Sequence, residues 1–203
     1  MSGKYMAYVG SYSYTGKAKG ITVFDVDVEN GMFKERCEIE VDNSSYVIAS
    51  SDGKTLYSIA DEGVVSFRIL PNGSLARLNS APIRGMRGCH LCTDEEDKYV
   101  FVSGYHDGKT TVLSLNPDGS VGKIVDGVFD RGYGSVAERN FRPHVTCTRR
   151  MPDNRFVLSV DNGIDQVKIY RFNDKEQRLV QVDAIRCELE SAPRHFRYSK
   201  DGK

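Results

Sequence analysis

Residues able to do acid–base or anion-binding chemistry recur at one kind of position in this chain, at or just before the start of short apolar segments. A histidine side chain can act as a general base near neutral pH, because its unperturbed pKa lies close to 7. An arginine guanidinium binds phosphate or carboxylate oxygens through a planar set of N–H donors. If the fold brings these positions together, they form a site for a small anionic molecule. The residues concerned are Tyr46, His90, His144, Arg194 and His195.

The segments that would position these residues repeat along the chain. Each apolar segment ends in a tight turn, and the turns at Lys54, Lys98, Arg155 and Lys203 are spaced 44, 57 and 48 residues apart. After each of the first three turns, three further runs rich in Val, Ile, Tyr and Phe follow, with NG or DG pairs between some of them. Such runs are typical of short β-strands joined by hairpin turns.

A repeat of 40–50 residues with four short strands per unit is typical of a β-propeller. No apolar period of 3.6 residues is present, so few helices are expected. The sequence therefore predicts an all-β propeller of four-stranded antiparallel blades, forming a single domain over 1–203. The predicted blade units cover about 5–41, 45–80, 88–126 and 142–187, and 192–203 is predicted to supply the first strand of a further blade.

The first and last units are incomplete, and two arrangements fit this pattern. The first unit lacks an innermost strand, and the apolar run 195–199 is an innermost strand without followers. This run could complete the first blade and close a four-bladed ring, or the chain could be the front part of a larger ring. The turn residues Asp201-Gly202-Lys203 favour the larger ring, because they lead toward another strand.

Composition restricts the possible partners. The 28 Lys and Arg residues balance the 28 Asp and Glu residues, and no long basic run occurs, which argues against a nucleic-acid-binding protein. No segment approaches the roughly 18 apolar residues of a membrane helix, and the N-terminal residues lack the apolar core of a signal peptide. We therefore expect a cytoplasmic protein with neither nucleic acid nor membrane as partner.

Motif-like stretches are better explained without a bound metal or cofactor. Cys89 and Cys92 are three positions apart, and in a strand such positions point to opposite faces. No second Cys or His pair completes a tetrahedral set. The acidic stretch 25–31 has Asn30 where a calcium loop requires glycine. No Gly-x-Ser-x-Gly sequence supports a serine hydrolase. The sequence thus predicts no metal and no cofactor.

Several stretches together resemble a known family. They are YVGSYS (8–13), SDGKTLYSIAD (51–61), the segment 142–172 with its Pro-His element, and APRHFRYSKDGK (192–203). They are similar to the propeller lactonase family, which includes β-propeller 6-phosphogluconolactonases and 3-carboxy-cis,cis-muconate lactonizing enzymes. The resemblance covers essentially the whole chain. It implies a seven-bladed ring, of which this chain covers about four blades, with an active site at the channel mouth.

The resemblance also implies roles for single residues. His144 matches the family's histidine and Arg194 its arginine, so we predict that both are catalytic. His195, His90 and Tyr46 are predicted to bind substrate. A family glutamate in the second strand of the next blade, and an arginine from a later blade, would follow residue 203.

Two positions depart from the family pattern. Thr146 stands where some members have a second histidine, and Ala192 stands where glycine usually precedes Pro-Arg-His. The first change is mild, because other members carry a small hydroxyl residue there. The second matters only if the backbone φ of Ala192 is positive.

The implied function is hydrolysis of a small anionic sugar lactone, with 6-phosphogluconolactone as the expected substrate. His144 would activate water, and Arg194 would bind the anionic group or the developing oxyanion. The glutamate expected after residue 203 is an equal candidate for the base. Two alternatives remain open at this level, a carboxymuconate-type lactonizing enzyme and a propeller that binds a partner without catalysis. The polar side chains at the channel could also serve only to hydrate it.

Overall fold

A computed structural model describes residues 5–135 and 141–199. Within these residues the secondary structure consists of β-strands, and no helix is long and apolar enough to cross a membrane. The strands are β1 (Tyr5–Gly10), β2 (Gly20–Asp27), β3 (Met32–Glu40), β4 (Val47–Ala49), β5 (Thr55–Ala60), β6 (Gly63–Ile69), β7 (Leu75–Ala81), β8 (His90–Thr93), β9 (Tyr99–Gly104), β10 (Lys109–Leu115), β11 (Val121–Phe129), β12 (Val145–Arg150), β13 (Val157–Asp161), β14 (Gln166–Asn173) and β15 (Arg178–Arg186).

The strands form four antiparallel sheets in chain order. The first sheet is three-stranded, with the order β1-β2-β3, and the other three are four-stranded meanders over β4–β7, β8–β11 and β12–β15. Within each sheet, every strand pairs with the next one along the chain. The prediction of an all-β propeller with four-stranded blades is therefore confirmed, and the three-stranded first blade is the unit for which no innermost strand was found in the sequence.

Apolar residues lie on both faces of the middle strands, and this explains how the blades pack. Leu56 and Tyr57 are neighbours on β5 and point to opposite faces. Leu56 belongs to the apolar cluster between the first and second blades, and Tyr57 to the cluster between the second and third. A third cluster, which includes Phe101 and Phe172, lies between the third and fourth blades. Each pair of consecutive described blades is thus held together by one apolar cluster.

The turns after the innermost strands share one backbone conformation, which supports the repeat alignment. Gly53, Asp97 and Asn154 all have positive φ, at 69°, 50° and 57°. Glycine adopts this conformation freely, and Asn and Asp tolerate it better than other residues. Asp52 stabilises the first of these turns by accepting a hydrogen bond from the Lys54 amide, at 3.0 Å.

Residues 192–199 form no strand, although the sequence predicts the first strand of a further blade there. A β-strand needs a hydrogen-bonding neighbour, and no described strand pairs with this segment. Side chains of the fourth blade hold it in place instead. The Asp165 carboxylate accepts the amide protons of Glu190 and Ala192, both at 2.8 Å, and the Thr146 hydroxyl donates to the Arg194 carbonyl at 2.7 Å.

Candidate active site

A cavity of about 460 Å³ lies at the face where the innermost strands begin. Most of its side chains come from loops and turns, which suits a rigid scaffold carrying a site. The wall holds two arginines and two histidines, and no carboxylate among the described residues belongs to it. The cavity is therefore suited to an anionic ligand. Its aromatic and ionisable wall residues include Tyr46, Arg87, Tyr105, His106, Arg194 and His195.

The backbone of Arg194 is fixed although its side chain is exposed to the cavity. The Thr146 hydroxyl bonds to its carbonyl oxygen, and Asp165 anchors the chain two residues earlier at Ala192. Because its backbone is already fixed, Arg194 loses less conformational freedom when its guanidinium binds a ligand. The hydroxyl at position 146, which replaces a histidine of some family members, thus positions the predicted catalytic arginine.

His195 lies beside Arg194 in the cavity wall. Partial burial, together with the positive charges of Arg194, Arg149 and Arg197, lowers the pKa of its imidazole. A lowered pKa keeps the ring neutral near pH 7. His195 can therefore accept a proton from a molecule bound in the cavity.

His90 lies behind the wall rather than in it. It is 1% exposed, and its ring centre is 4.7 Å from the Tyr46 ring and 5.9 Å from the His195 ring. Burial and the neighbouring Arg149 lower the pKa of His90 to about 3. Arginine can only donate, so His90 Nε2, 3.3 Å from Arg149 Nη2, is the acceptor. His90 thus stays neutral and contacts two wall residues, Tyr46 and His195, without reaching the cavity itself.

His144 is also set back from the cavity. Its ring stacks on that of the wall residue Tyr105, with centres 4.3 Å apart and planes 15° apart. Nδ1 lies 2.7 Å from the Tyr105 carbonyl oxygen. A carbonyl oxygen only accepts, so Nδ1 carries the proton and Nε2 keeps its lone pair. Nε2 has no hydrogen-bond partner among the described residues and is the atom that can take up a proton.

Two buried carboxyl groups hold the backbone of His144. Asp161 accepts hydrogen bonds from the amides of His144, at 2.8 Å, and Gly163, at 2.9 Å. Asp130 accepts from the Tyr170 hydroxyl at 2.7 Å and interacts electrostatically with the carboxyl of Asp161, and the buried Oδ2 atom of each carboxyl has no other hydrogen-bond partner among the described residues. Burial raises the pKa of Asp130 to about 7, and the negative charge of the adjacent Asp161 raises it further. A shared proton therefore supports the chain at His144.

Glycine is required at position 163 because the loop that leads to His144 passes very close to it. A Cβ there would overlap the carbonyl oxygen of Arg142 and lie 2.8 Å from Cδ2 of the His144 ring. Any larger residue would push the loop before β12 away from its place. This requirement is not predictable from the sequence, because the crowding involves two separate loops.

Sequence reasoning missed several wall residues, above all Arg87. Its Nη1 donates to Asp61 at 2.7 Å, and its guanidinium carbon lies 5.0 Å from the centre of the Tyr12 ring. The position of Arg87 could have marked it as a wall residue. It lies just before the innermost strand of the third blade, and Arg194 lies at the corresponding place after the last strand of the fourth blade. Tyr105 and His106 lie in the turn between β9 and β10 and carried no motif.

A wall cysteine and a cluster of three possible metal ligands suggest a thiol nucleophile and a metal site, but their surroundings support neither. Burial raises the pKa of the Cys89 thiol to about 12, so this wall residue is not a thiolate nucleophile. Ligand atoms of His90, Cys147 and His195 lie within 4.8 Å of one another, a spacing that could hold a metal ion. Arg149, however, already occupies the lone pair of His90 Nε2 and adds positive charge. The local field favours an anion over a cation.

The chain belongs to the seven-bladed β-propeller lactonase family. Residues 6–203 match the family described as "Lactonase, 7-bladed beta-propeller". The resemblance noted in the sequence is thereby confirmed, and the four blades described here are part of a seven-bladed ring.

Relatives with reported names place the chain within this family. It is 31% identical over 201 residues to the 6-phosphogluconolactonase of Bacillus subtilis (strain 168), covering 96% of this chain and 56% of that protein. A candidate 6-phosphogluconolactonase from Bacteroides fragilis superimposes with a TM-score of 0.90 at 31% identity, covering 98% of this chain and 59% of that one. The periplasmic gluconolactonase PpgL of Pseudomonas aeruginosa, at 24% identity and a TM-score of 0.89, covers 97% and 59% and shows the shared fold. The chain spans less than two thirds of the length of each.

Proposed function

We propose that the protein containing this chain hydrolyses a small anionic sugar lactone, with 6-phosphogluconolactone as the substrate. One observation carries this proposal. The cavity at the channel mouth has two arginines and two histidines in its wall and no carboxylate among the described residues. Such a wall attracts an anion and offers both proton acceptors and oxyanion donors. The family and the names of relatives at about 31% identity support a lactone as the substrate.

The proposed reaction needs a base and an oxyanion partner. Water attacks the lactone carbonyl carbon, and the carbonyl electrons move to oxygen to give a tetrahedral oxyanion. Arg194 stabilises that oxyanion through its N–H donors. When the intermediate collapses, the bond from the carbonyl carbon to the ring oxygen breaks. The base passes the proton that it removed from water to the ring oxygen, and the new carboxylic acid loses its proton to solvent to give a carboxylate.

His144 is the proposed base, acting through Nε2, whose lone pair is left free by the bond from Nδ1 to the Tyr105 carbonyl. His195 is the second candidate, because it lies in the wall and its lowered pKa keeps it neutral. The two assignments differ in geometry. His195 reaches the cavity directly, whereas His144 stands behind Tyr105.

The test uses the full-length protein and measures its hydrolysis of 6-phosphogluconolactone. We expect Arg194→Ala to lower kcat/KM by about 10²–10³, and loss of the base to lower it by about 10²–10⁴. Comparing His144→Ala with His195→Ala identifies the base. Arg171→Ala, on the exposed part of β14, is the control and should keep wild-type kinetics. Unchanged kcat/KM in both His144→Ala and Arg194→Ala would overturn the proposal.

A carboxylated lactone fits the same positively charged wall, as in a carboxymuconate-type lactonizing enzyme. Assaying both lactones with one preparation separates the two substrates. Absence of turnover on either, with intact folding, would favour a binding platform instead.

A further inference from the structure

The two guanidinium groups of the cavity come from distant parts of the chain. Arg87 lies in the loop between β7 and β8, and Arg194 follows β15. A phosphorylated sugar lactone likewise carries two groups that need positive partners, the reacting carbonyl at one end and the phosphate at the other. We propose that Arg87 binds the phosphate group of the substrate and so leaves Arg194 to serve the lactone carbonyl. This inference rests on the function proposed for the same cavity.

Arg87 is held in place before any ligand binds. Asp61 accepts a hydrogen bond from its Nη1 at 2.7 Å, and Asp61 in turn accepts from Nδ2 of Asn43 at 2.7 Å. Asn43 is 8% exposed, and its backbone amide donates to the Ser13 hydroxyl at 3.0 Å, so its own position is well defined. Asp61 is itself exposed, but its bond to the buried Asn43 orients it, and an arginine oriented in this way loses less entropy when it engages a ligand.

The same network fixes the aromatic surface next to Arg87. The Asn43 side-chain oxygen accepts the amide protons of Ser13 and Tyr14, at 3.0 and 3.1 Å. These bonds anchor the loop that carries Tyr12, whose ring lies against the guanidinium of Arg87. One buried asparagine therefore sets the positions of both the arginine and its aromatic neighbour.

Arg87 keeps donors for a ligand. A guanidinium has five N–H groups in a planar fork, and within the described residues a hydrogen bond to Asp61 uses Nη1. Nε and Nη2 remain for phosphate oxygens, with which arginine forms paired bonds. Asp61 and Tyr12 orient this fork, while the cavity volume of about 460 Å³ falls in the range of small-ligand sites.

Arg87 and Arg194 can be told apart with two product-like ligands. 6-Phosphogluconate carries a carboxylate and a phosphate, and gluconate carries the carboxylate alone. Binding of each to the protein encoded in full is measured by titration calorimetry, for wild type, Arg87→Gln, Arg87→Lys, Arg194→Gln and the control Arg84→Gln. Arg84 is in the same loop but is exposed and outside the cavity wall, so it tests for a general loss of charge.

We expect Arg87→Gln to weaken 6-phosphogluconate binding by about 10- to 100-fold and gluconate binding by less than about twofold. Arg194→Gln should weaken both ligands, and Arg84→Gln neither. Arg87→Lys keeps the charge without the planar fork, so it should lose about 3- to 10-fold for 6-phosphogluconate only. If Arg87→Gln does not fold, Arg87→Lys decides the question.

Equal loss of both ligands in the Arg87 variants, or unchanged binding of 6-phosphogluconate, would overturn the inference. Turnover is a separate readout that tests the proposed function. Phosphate-dependent binding through Arg87 without lactone hydrolysis would reject the hydrolase alone. Hydrolysis with a KM that does not respond to Arg87 substitution would reject the role of Arg87 alone.

Discussion

The backbone position of His144 depends on a proton that is buried inside the protein. Asp161 accepts a hydrogen bond from the His144 amide, and its carboxyl interacts with that of Asp130, whose pKa is raised to about 7 by burial. The folded protein therefore keeps a proton that the unfolded chain loses near pH 4. Between about pH 4 and 7 the folded state binds more protons than the unfolded state, so the free energy of unfolding falls as the pH rises.

The pH dependence can be tested with Asp130→Asn. The amide stays neutral at every pH, can accept from the Tyr170 hydroxyl and can donate to Asp161. We expect the free energy of unfolding of wild type to fall by about 1–3 kcal/mol more than that of the variant between pH 5 and pH 8. Urea unfolding at several pH values measures this difference. Asp183→Asn on β15 is the control and should follow wild type, and parallel curves for wild type and Asp130→Asn would contradict the expectation.

At the scale of elements, the segment before Arg194 contains a strained residue. Ala192 has a φ of 46°, a left-handed conformation that costs a residue with a Cβ roughly 1–2 kcal/mol. The sequence had marked this position because glycine usually precedes Pro-Arg-His in the family. The positive φ shows why glycine suits it. Hydrogen bonds from Asp165 hold the segment despite the strain.

Ala192→Gly should therefore stabilise the protein. The relief of strain exceeds the extra unfolded-state entropy of glycine, and we expect a net gain of about 0.5–1 kcal/mol in the free energy of unfolding. The matched control is Ala184→Gly in β15, where the backbone is an ordinary strand. That change should destabilise by about 0.5–1 kcal/mol. Urea unfolding measures both, and a loss of stability in Ala192→Gly would contradict the strain argument.

Strands can be predicted from the sequence where the repeat is clear. Strand ends, and strands that need a hydrogen-bonded neighbour to form, cannot. β8 (His90–Thr93) begins at the histidine that the repeat places at the start of an apolar segment. In the second blade, Pro71–Ser74 form the hairpin turn and β7 begins only at Leu75. The run 195–199 has a strand-like pattern without a pairing partner, and pattern alone cannot supply one.

The site was predictable to a similar degree. Arg194, His195 and Tyr46 lie in the cavity wall, although residues 192–199 form no strand. His90 and His144 share that pattern but are covered by neighbouring rings, and this depends on side-chain packing between blades. Arg87 was missed because its role depends on loops of the first two blades meeting at the cavity.

At the scale of the whole molecule, stability comes from three apolar clusters, each between consecutive blades. Phe172 on β14 is 4% exposed and contacts the rings of Tyr99 and Phe101 on β9, with ring centres 4.9 and 5.8 Å away. The contact joins the third blade to the fourth. The fourth blade in turn provides Thr146, Asp161 and Asp165, which position the candidate catalytic residues.

Phe172→Ala should therefore cost about 3–5 kcal/mol of unfolding free energy, through lost burial and an internal cavity. Tyr133→Ala removes an aromatic side chain that is 92% exposed and should change stability by less than about 0.5 kcal/mol. Thermal and urea unfolding compare the two variants. Similar values for both would mean that the interface between the third and fourth blades contributes little.

The cavity wall and the apolar clusters use different parts of the chain. Tyr12, Tyr46, Arg87, Tyr105 and Arg194 all lie outside the strands, whereas the clusters are built mainly from strand residues. Mutations at the channel mouth therefore carry a small folding penalty, and selection on the ligand can act there almost independently of selection on the fold. Lineages that share this scaffold are free to diverge in substrate by exchanging a few loop residues while every blade keeps its place.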